Sequence, residues 1–250
     1  VAKMAQDWGY DEINFNVGCP SSKVSSGNFG ALLMNHPDKV AKCIEALKNN
    51  CNLPITIKHR IGIDNNDSFS NLNNFVRQIS SSGAERFTIH ARKAFLKGLN
   101  PKENRTIPPL RYDIVEELKK ENPSLIIEIN GGFTNIEQCI NGLKTFDGIM
   151  IGRSAYKHPL RWAEIDSKIY KVNSYPKKAS EIIYSIIPYF DNHLRSEGKS
   201  WDICKHLINI VENIPKAKLW RNKVSNMSIK GSLNVENLTY FTNELYEMGF

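Results

Sequence analysis

Long hydrophobic runs are missing. No apolar stretch in the 250 residues approaches the roughly 18 needed for a membrane-spanning helix, which excludes a helical span. No signal-peptide pattern opens the chain, and its first residue is valine. Val1–Tyr10 reads as the last turns of a helix feeding a strand, so the natural start is expected upstream. Cysteine is scarce. The five, Cys19, Cys43, Cys51, Cys139 and Cys204, are an odd number without metal-ligand spacing, which predicts a reducing, cytoplasmic setting and no metal. Cys43, Cys139 and Cys204 fall on the apolar stripes of helical patterns and are expected to pack. No repeat or low-complexity segment occurs. What is present is an ordinary globular composition, 41% hydrophobic and 24% charged, enough for a large core and a small extra domain. The net charge of +7 favours a polyanionic partner, although basic charge alone often serves only solubility.

The richest stretch is Asp11–Pro20, DEINFNVGCP. Ile13, Phe15 and Val17 alternate with Asn14 and Asn16, the period of a strand with different surroundings on its two faces. Buried amides without partners are costly, so an inward polar face points to a ligand rather than a plain core. Gly18 and Pro20 turn the chain and present Cys19. Read alone, such a cysteine is more often a buried packing residue.

Four further strands follow in the same phase. ITIKHR places Ile55, Ile57 and His59 on one face and Thr56, Lys58 and Arg60 on the other. RFTIHAR points Thr88, His90 and Arg92 inward, LIIEIN ends at Asn130-Gly131-Gly132, and GIMIGR ends at Gly152-Arg153. Amphipathic helices are expected between them: one opened by Pro37, one over Phe69–Ile79, one near Ile114–Lys120 and one over Asn135–Leu143. Ser21–Asn35 reads as a loop. Five strand–helix units with polar residues gathered at the strand ends predict a (β/α) barrel with its site on that face. A single lysine or histidine there would mean little. Asn16, Lys58, His90 and Asn130 recurring at equivalent places argue for a joint function, and the glycines suit a phosphate site.

Beyond Asp166 the pattern becomes helical. Ile182, Ile183, Ile186, Ile187 and Phe190 mark one helix, Leu207, Ile208 and Val211 a second, and Val235, Leu238, Phe241, Leu245 and Met248 a last. KAKLWRNK, Lys216–Lys223, is expected between these helices as a basic segment around Trp220, suited to a nucleic-acid backbone or to a solvated face.

Together NVGCPSSKV, ITIKHRIG, IHARKAFLKGLNPKENR, INGG and GIMIGRSAY resemble the flavin-dependent tRNA-dihydrouridine synthases, and among them the subfamily acting at positions 20 and 20a. The resemblance covers essentially the whole chain. It implies an FMN-containing α/β TIM barrel over 1–174, a helical tRNA-binding domain over 175–250, NADPH as reductant, and an enzyme that reduces a D-loop uridine; a monomer is expected beside this, without the sequence fixing the oligomeric state. Cys19 would donate the proton. Lys58, His90, Asn130, Gly131, Gly132, Gly152 and Arg153 would contact flavin, and Asn16, Lys23, Lys102, Arg105, Lys218 and Arg221 would contact tRNA. A thiol at its ordinary pKa of about 8.5 suits the acid. The fixed charge of Lys58 suits the reduced flavin. The base must be extruded from folded tRNA, which basic groups on phosphate assist. The family's Met-x-Pro turn and glutamine are absent, as are about three N-terminal strands. Five strands do not close a barrel of shear eight, so a longer natural chain is expected. Two alternatives stand beside this reading: an FMN barrel acting on a small molecule, of the dihydroorotate or old-yellow type, and a tRNA-binding remnant without flavin. The basic tail and the Lys102–Arg105 loop speak against the first, and a flavin absorbance spectrum decides the second.

Overall fold

The alternating segments form five parallel strands in a computed structural model that describes residues 1–250. They are β1 (Ile13–Val17), β2 (Ile55–Arg60), β3 (Arg86–His90), β4 (Ile126–Asn130) and β5 (Gly148–Met150), hydrogen-bonded in the order β1-β2-β3-β4-β5. The sheet is open, with β1 and β5 at its edges. Register runs unbroken: Asn16 lies opposite Lys58, Lys58 opposite Thr88, and Thr88 opposite Glu128. One step nearer the strand C-termini, Arg60, His90, Asn130 and Met150 form the next row. One face of the sheet is therefore largely polar from β1 to β4. Along it Asn14 donates to the Thr56 hydroxyl (2.8 Å), Thr88 donates to Glu128 (2.6 Å), and Arg86 pairs with both Glu128 and Glu12.

The other face carries Ile55, Ile57, Phe87, Ile89, Ile127 and Ile129, all fully buried. Against it pack the apolar stripes of the helices Pro37–Lys48, Phe69–Ser81 and Tyr112–Glu121, through Val40 and Ile44, Leu72, Phe75, Val76 and Ile79, and Val115 and Leu118. Full burial of each such side chain contributes about 1.5 to 3 kcal/mol. Local signals start the helices. Proline opens the first, and the Ser68 hydroxyl caps the second by accepting from the Asn71 amide (3.2 Å).

Two compact units divide the chain: Val1–Phe133 with Glu137–Ile151, and Thr134–Ile136 with Gly152–Phe250. The expected boundary at 174/175 lies inside the second. That unit contains the helices Ala179–Arg195, Ser200–Leu207, Ala217–Ile229 and Val235–Glu247, around Ile183, Phe190, Cys204, Trp220, Val224, Leu238 and Leu245. Trp220 is 3% exposed and its indole N–H donates to the Phe241 carbonyl (3.0 Å). No helix is long and apolar enough to cross a membrane.

Four local expectations need correction. KAKLWRNK forms the start of the helix Ala217–Ile229, with Lys216 at its N-cap, rather than lying between helices, because Ala217, Trp220 and Val224 give it a buried stripe that its charges obscure. The second helix of that unit ends at Leu207, and Val211 reaches the core from beyond it. Ser21–Asn35 is largely helical, as Ser22–Ser25 and the 3₁₀ segment Gly30–Asn35, which buries Ala31, Leu33 and Met34. Cys43 is exposed, since Val40, Ala41 and Ile44 occupy the inner face of its helix. Cys139 and Cys204 are buried, and all five thiols are free.

His59 sits on the apolar face, fully buried, with Phe75 and Phe87 rings 5.2 and 6.1 Å from its own. Its Nδ1 donates to the Arg60 carbonyl (2.7 Å), which fixes the tautomer, and Nε2 has no partner. Burial pushes its pKa down from 6.5 to about 4. Below pH 6.5 the unfolded chain binds this proton and the folded chain does not. Stability is therefore full above about 6.5 and falls by roughly 3 kcal/mol as pH drops towards 4. Urea unfolding across that window should show this slope, and His59→Leu should remove it. An unchanged slope in the variant would assign the pH dependence to other groups.

Candidate functional site

Cys19 stands two residues past β1, and three backbone groups at this turn are held. The Gly18 amide donates to Asn16 Oδ1 (3.0 Å), the Gly18 carbonyl accepts from Arg60 Nε (3.0 Å), and the Cys19 carbonyl accepts from the Ala31 amide (2.9 Å). Asn16 thus supports the turn with its oxygen while the residue stays exposed. The thiol is partly exposed. Gly30 makes the return to Ala31 possible. Its φ is +66°, and a Cβ there would stand 2.5 Å from the Cys19 carbonyl oxygen.

Lys58 lies on β2 beside Asn16 on β1. It is half-buried and makes no hydrogen bond or ion pair in the chain. Burial, then the Arg60 charge, lowers its pKa, and Cys19 opposes that shift. Arg60 shows the same pattern, its pKa lowered to about 10 chiefly by burial, again opposed by Cys19. One strand therefore carries two cations beside the Cys19 turn. His90 is buried in the row of Arg60 and Asn130, and Asn130 Nδ2 donates to the Met150 carbonyl (2.7 Å). Gly131 follows with φ +112°, so close to His90 that a Cβ would lie 2.6 Å from the ring Cδ2. Its carbonyl accepts from the Tyr112 hydroxyl (2.5 Å). Gly132 comes next, and is exposed.

The sheet unit brings Asn16, Cys19, Lys58, His90, Asn130, Gly131 and Gly132 to the C-terminal end of the strands. Lys23 is exposed in the short helix Ser22–Ser25 after Cys19, and Lys102 and Arg105 are exposed in the loop after β3. Gly152 and Arg153 fall in the second unit, at the start of the helix Arg153–Lys157. Lys218 and Arg221 share the helix Ala217–Ile229 and differ there. Lys218 is exposed, whereas Arg221 is half-buried with Nη1 donating to the Val211 carbonyl (2.7 Å).

Two residues were missed by sequence reasoning. Arg60 was placed on the inner face but given no role, although its phase with Lys58 pointed to one. Asn104, fully buried in the loop after β3, carried no signal, because its work is hydrogen bonding to main chain.

A parallel α/β sheet that gathers a thiol, an ammonium and an imidazole at the ends of its strands has the architecture of α/β proteins that bind ligands at the carboxyl edge. The chain belongs to the dihydrouridine synthase family, an oxidoreductase family, whose model matches residues 1–245. Three relatives are each named tRNA-dihydrouridine(20/20a) synthase. The one from Synechocystis sp. is 50% identical over 95% of this chain and 71% of its own length. That from Vibrio parahaemolyticus is 45% identical over 95% and 73%, and that from Shewanella oneidensis 43% over 94% and 70%. Among solved structures, a phosphoenolpyruvate phosphomutase from Streptomyces platensis subsp. rosaceus is similar at a TM-score of 0.45 and 14% identity, over 92% of this chain and 88% of its own. So loose a likeness carries no argument about chemistry.

Three substitutions test the geometry. Gly30→Ala places a Cβ against main chain at positive φ, a strain of about 1 to 3 kcal/mol, and should lower the melting temperature while altering alkylation of Cys19. If neither changes, the turn is not held as described. Arg221→Ala should destabilise the helical unit by about 1 to 3 kcal/mol by leaving the Val211 carbonyl without its donor. Lys218→Ala should not. Equal melting temperatures for the two would return Arg221 to the free surface.

Proposed function

We propose that this protein reduces uridine to 5,6-dihydrouridine in the D-loop of tRNA, at position 20 or 20a, with FMN as cofactor, NADPH as reductant and Cys19 as proton donor. The observation that carries the reading is Lys58: a half-buried ammonium without an anionic partner, on the strand beside the one that delivers Cys19. Such a charge calls for an anionic ligand. The residues present fit FMN. Lys58, His90, Asn130, Gly131 and Gly132 of the sheet unit would hold it, the role of Gly152 and Arg153 resting on the family resemblance alone, and the five strands would form part of a (β/α)8 barrel around it. FMN, when bound and reduced by NADPH, supplies the hydride to one carbon of the uracil C5–C6 bond.

The chain's own residues do the rest. The Cys19 thiol gives its proton to the other carbon, held on target by the bonds to Gly18 and to its own carbonyl. Lys58 and Arg60, cations on the adjoining strand, would offset the charge of the thiolate left behind. Asn16 before the turn and Lys23 after it are both exposed and would meet the extruded nucleotide and its phosphate. Lys102, Arg105 and Lys218 would extend the phosphate contacts. Arg221 would act through the helix it supports.

Cys19→Ala separates this mechanism from a packing role. The flavin-loaded variant should be reduced by NADPH at the parent rate, while its reoxidation by tRNA slows by about 10² to 10⁴. Stopped-flow absorbance follows both half-reactions, and mass spectrometry of tRNA detects dihydrouridine. Turnover of tRNA at the parent rate by the variant would exclude Cys19 as the acid.

A further inference from the structure

Arg60 ends β2 on the polar face and is 3% exposed. A guanidinium so buried ordinarily meets a carboxylate. This one meets three main-chain carbonyls. Nε donates to Gly18 (3.0 Å), and Nη1 donates to Lys93 (3.1 Å) and Asn104 (2.9 Å). Gly18 immediately precedes Cys19. Lys93 and Asn104 bracket the stretch that carries Lys97 and Lys102, with Arg105 next in sequence.

At the gripped point the loop is stiff. Asn104 is fully buried, its Nδ2 donates to the carbonyls of Phe95 (2.9 Å) and Leu99 (3.1 Å), and its Oδ1 accepts from the Phe95 amide (2.7 Å). The loop base is closed as well, since the Arg111 amide donates to the Ala91 carbonyl (2.8 Å). A planar guanidinium presents its donors at fixed angles, so one rigid group sets the distance between the two segments. Charge-assisted bonds to carbonyls are among the stronger neutral-partner bonds, and none of these three is available to an aliphatic side chain.

We propose that Arg60 is a positioning residue that holds the Cys19 turn and the 93–104 loop in one fixed relation, so that the thiol and the loop's cations address the same nucleotide. Its catalytic consequence rests on the reading of Cys19 and tRNA given above. The mechanical coupling does not.

The test compares Arg60→Met and Arg60→Lys with the parent. Iodoacetamide alkylation of Cys19 is measured by peptide mass spectrometry, with the exposed Cys43 as internal standard. In Arg60→Met the Cys19-to-Cys43 rate ratio should change by about tenfold, because the Gly18 carbonyl loses its donor and the exposure of the thiol changes with the turn. In the flavin-loaded protein, reduction by NADPH should be unaltered, while reoxidation by tRNA slows on the order of 10²-fold, the effect of a misplaced reacting group. Lys102→Ala should reduce the log–log salt slope of tRNA binding by about 0.7 to 0.9 in the parent and by less than about half of that in Arg60→Met. An alkylation ratio within about twofold of the parent, together with an equal effect of Lys102→Ala in both backgrounds, overturns the proposal. Should Arg60→Met fail to fold, Arg60→Lys carries the same comparisons, since one ammonium does not reproduce the fork. A moved ratio in a protein that forms no dihydrouridine would sink the functional reading and leave the coupling standing. Dihydrouridine formation with an unmoved ratio would do the reverse.

Discussion

Unbroken parallel register is the constraint on which the site depends. Side chains alternate across a strand, so a slip of one residue between β1 and β2 would send Lys58 and Arg60 into the helical layer and Ile57 and His59 to the open face. That alternative is heavily penalised. It would bury two cations among isoleucines and phenylalanines, and it would expose side chains now at zero accessibility. The apolar layer beneath the sheet thus fixes which residues meet above it, and the polar face is specified as much by what lies behind it as by its own contacts.

This is also why so much was legible beforehand. Each strand carries its own alternation, and Asn16, Lys58, His90 and Asn130 share a phase that survives into the structure as two adjacent rows. Helices with a clean apolar stripe, such as Phe69–Ser81, could be placed from spacing alone. Ala217–Ile229 could not, because lysine and arginine alternate with the buried Ala217, Trp220 and Val224 and give a weakly amphipathic pattern. Cys43 misled for a related reason: it lies at the rim of an apolar stripe, where spacing does not say on which side of the rim a residue falls.

What spacing cannot reveal is a bond between a side chain and a distant main-chain atom. Carbonyls are identical at every residue, so nothing in the letters marks Gly18, Lys93 or Asn104 as partners of Arg60. The same holds for Asn104, whose surroundings of glycine, proline and charge read as exposed loop. Acidic partners would have been easier to anticipate. Their absence leaves the Arg60 donors to main-chain carbonyls and Lys58 without an anionic partner in the chain.

The burial of Trp220 reaches into spectroscopy. Of the four tryptophans, Trp162, Trp201 and Trp220 belong to the helical unit, and Trp220 is sealed against solvent with its indole N–H bound. The sheet unit has only Trp8, which is 73% exposed. Intrinsic fluorescence is therefore a reporter of one half of the molecule. Loss of the helical core would shift emission to longer wavelength, whereas opening of the sheet would leave it nearly unchanged, so the order in which the two units melt can be read without any label.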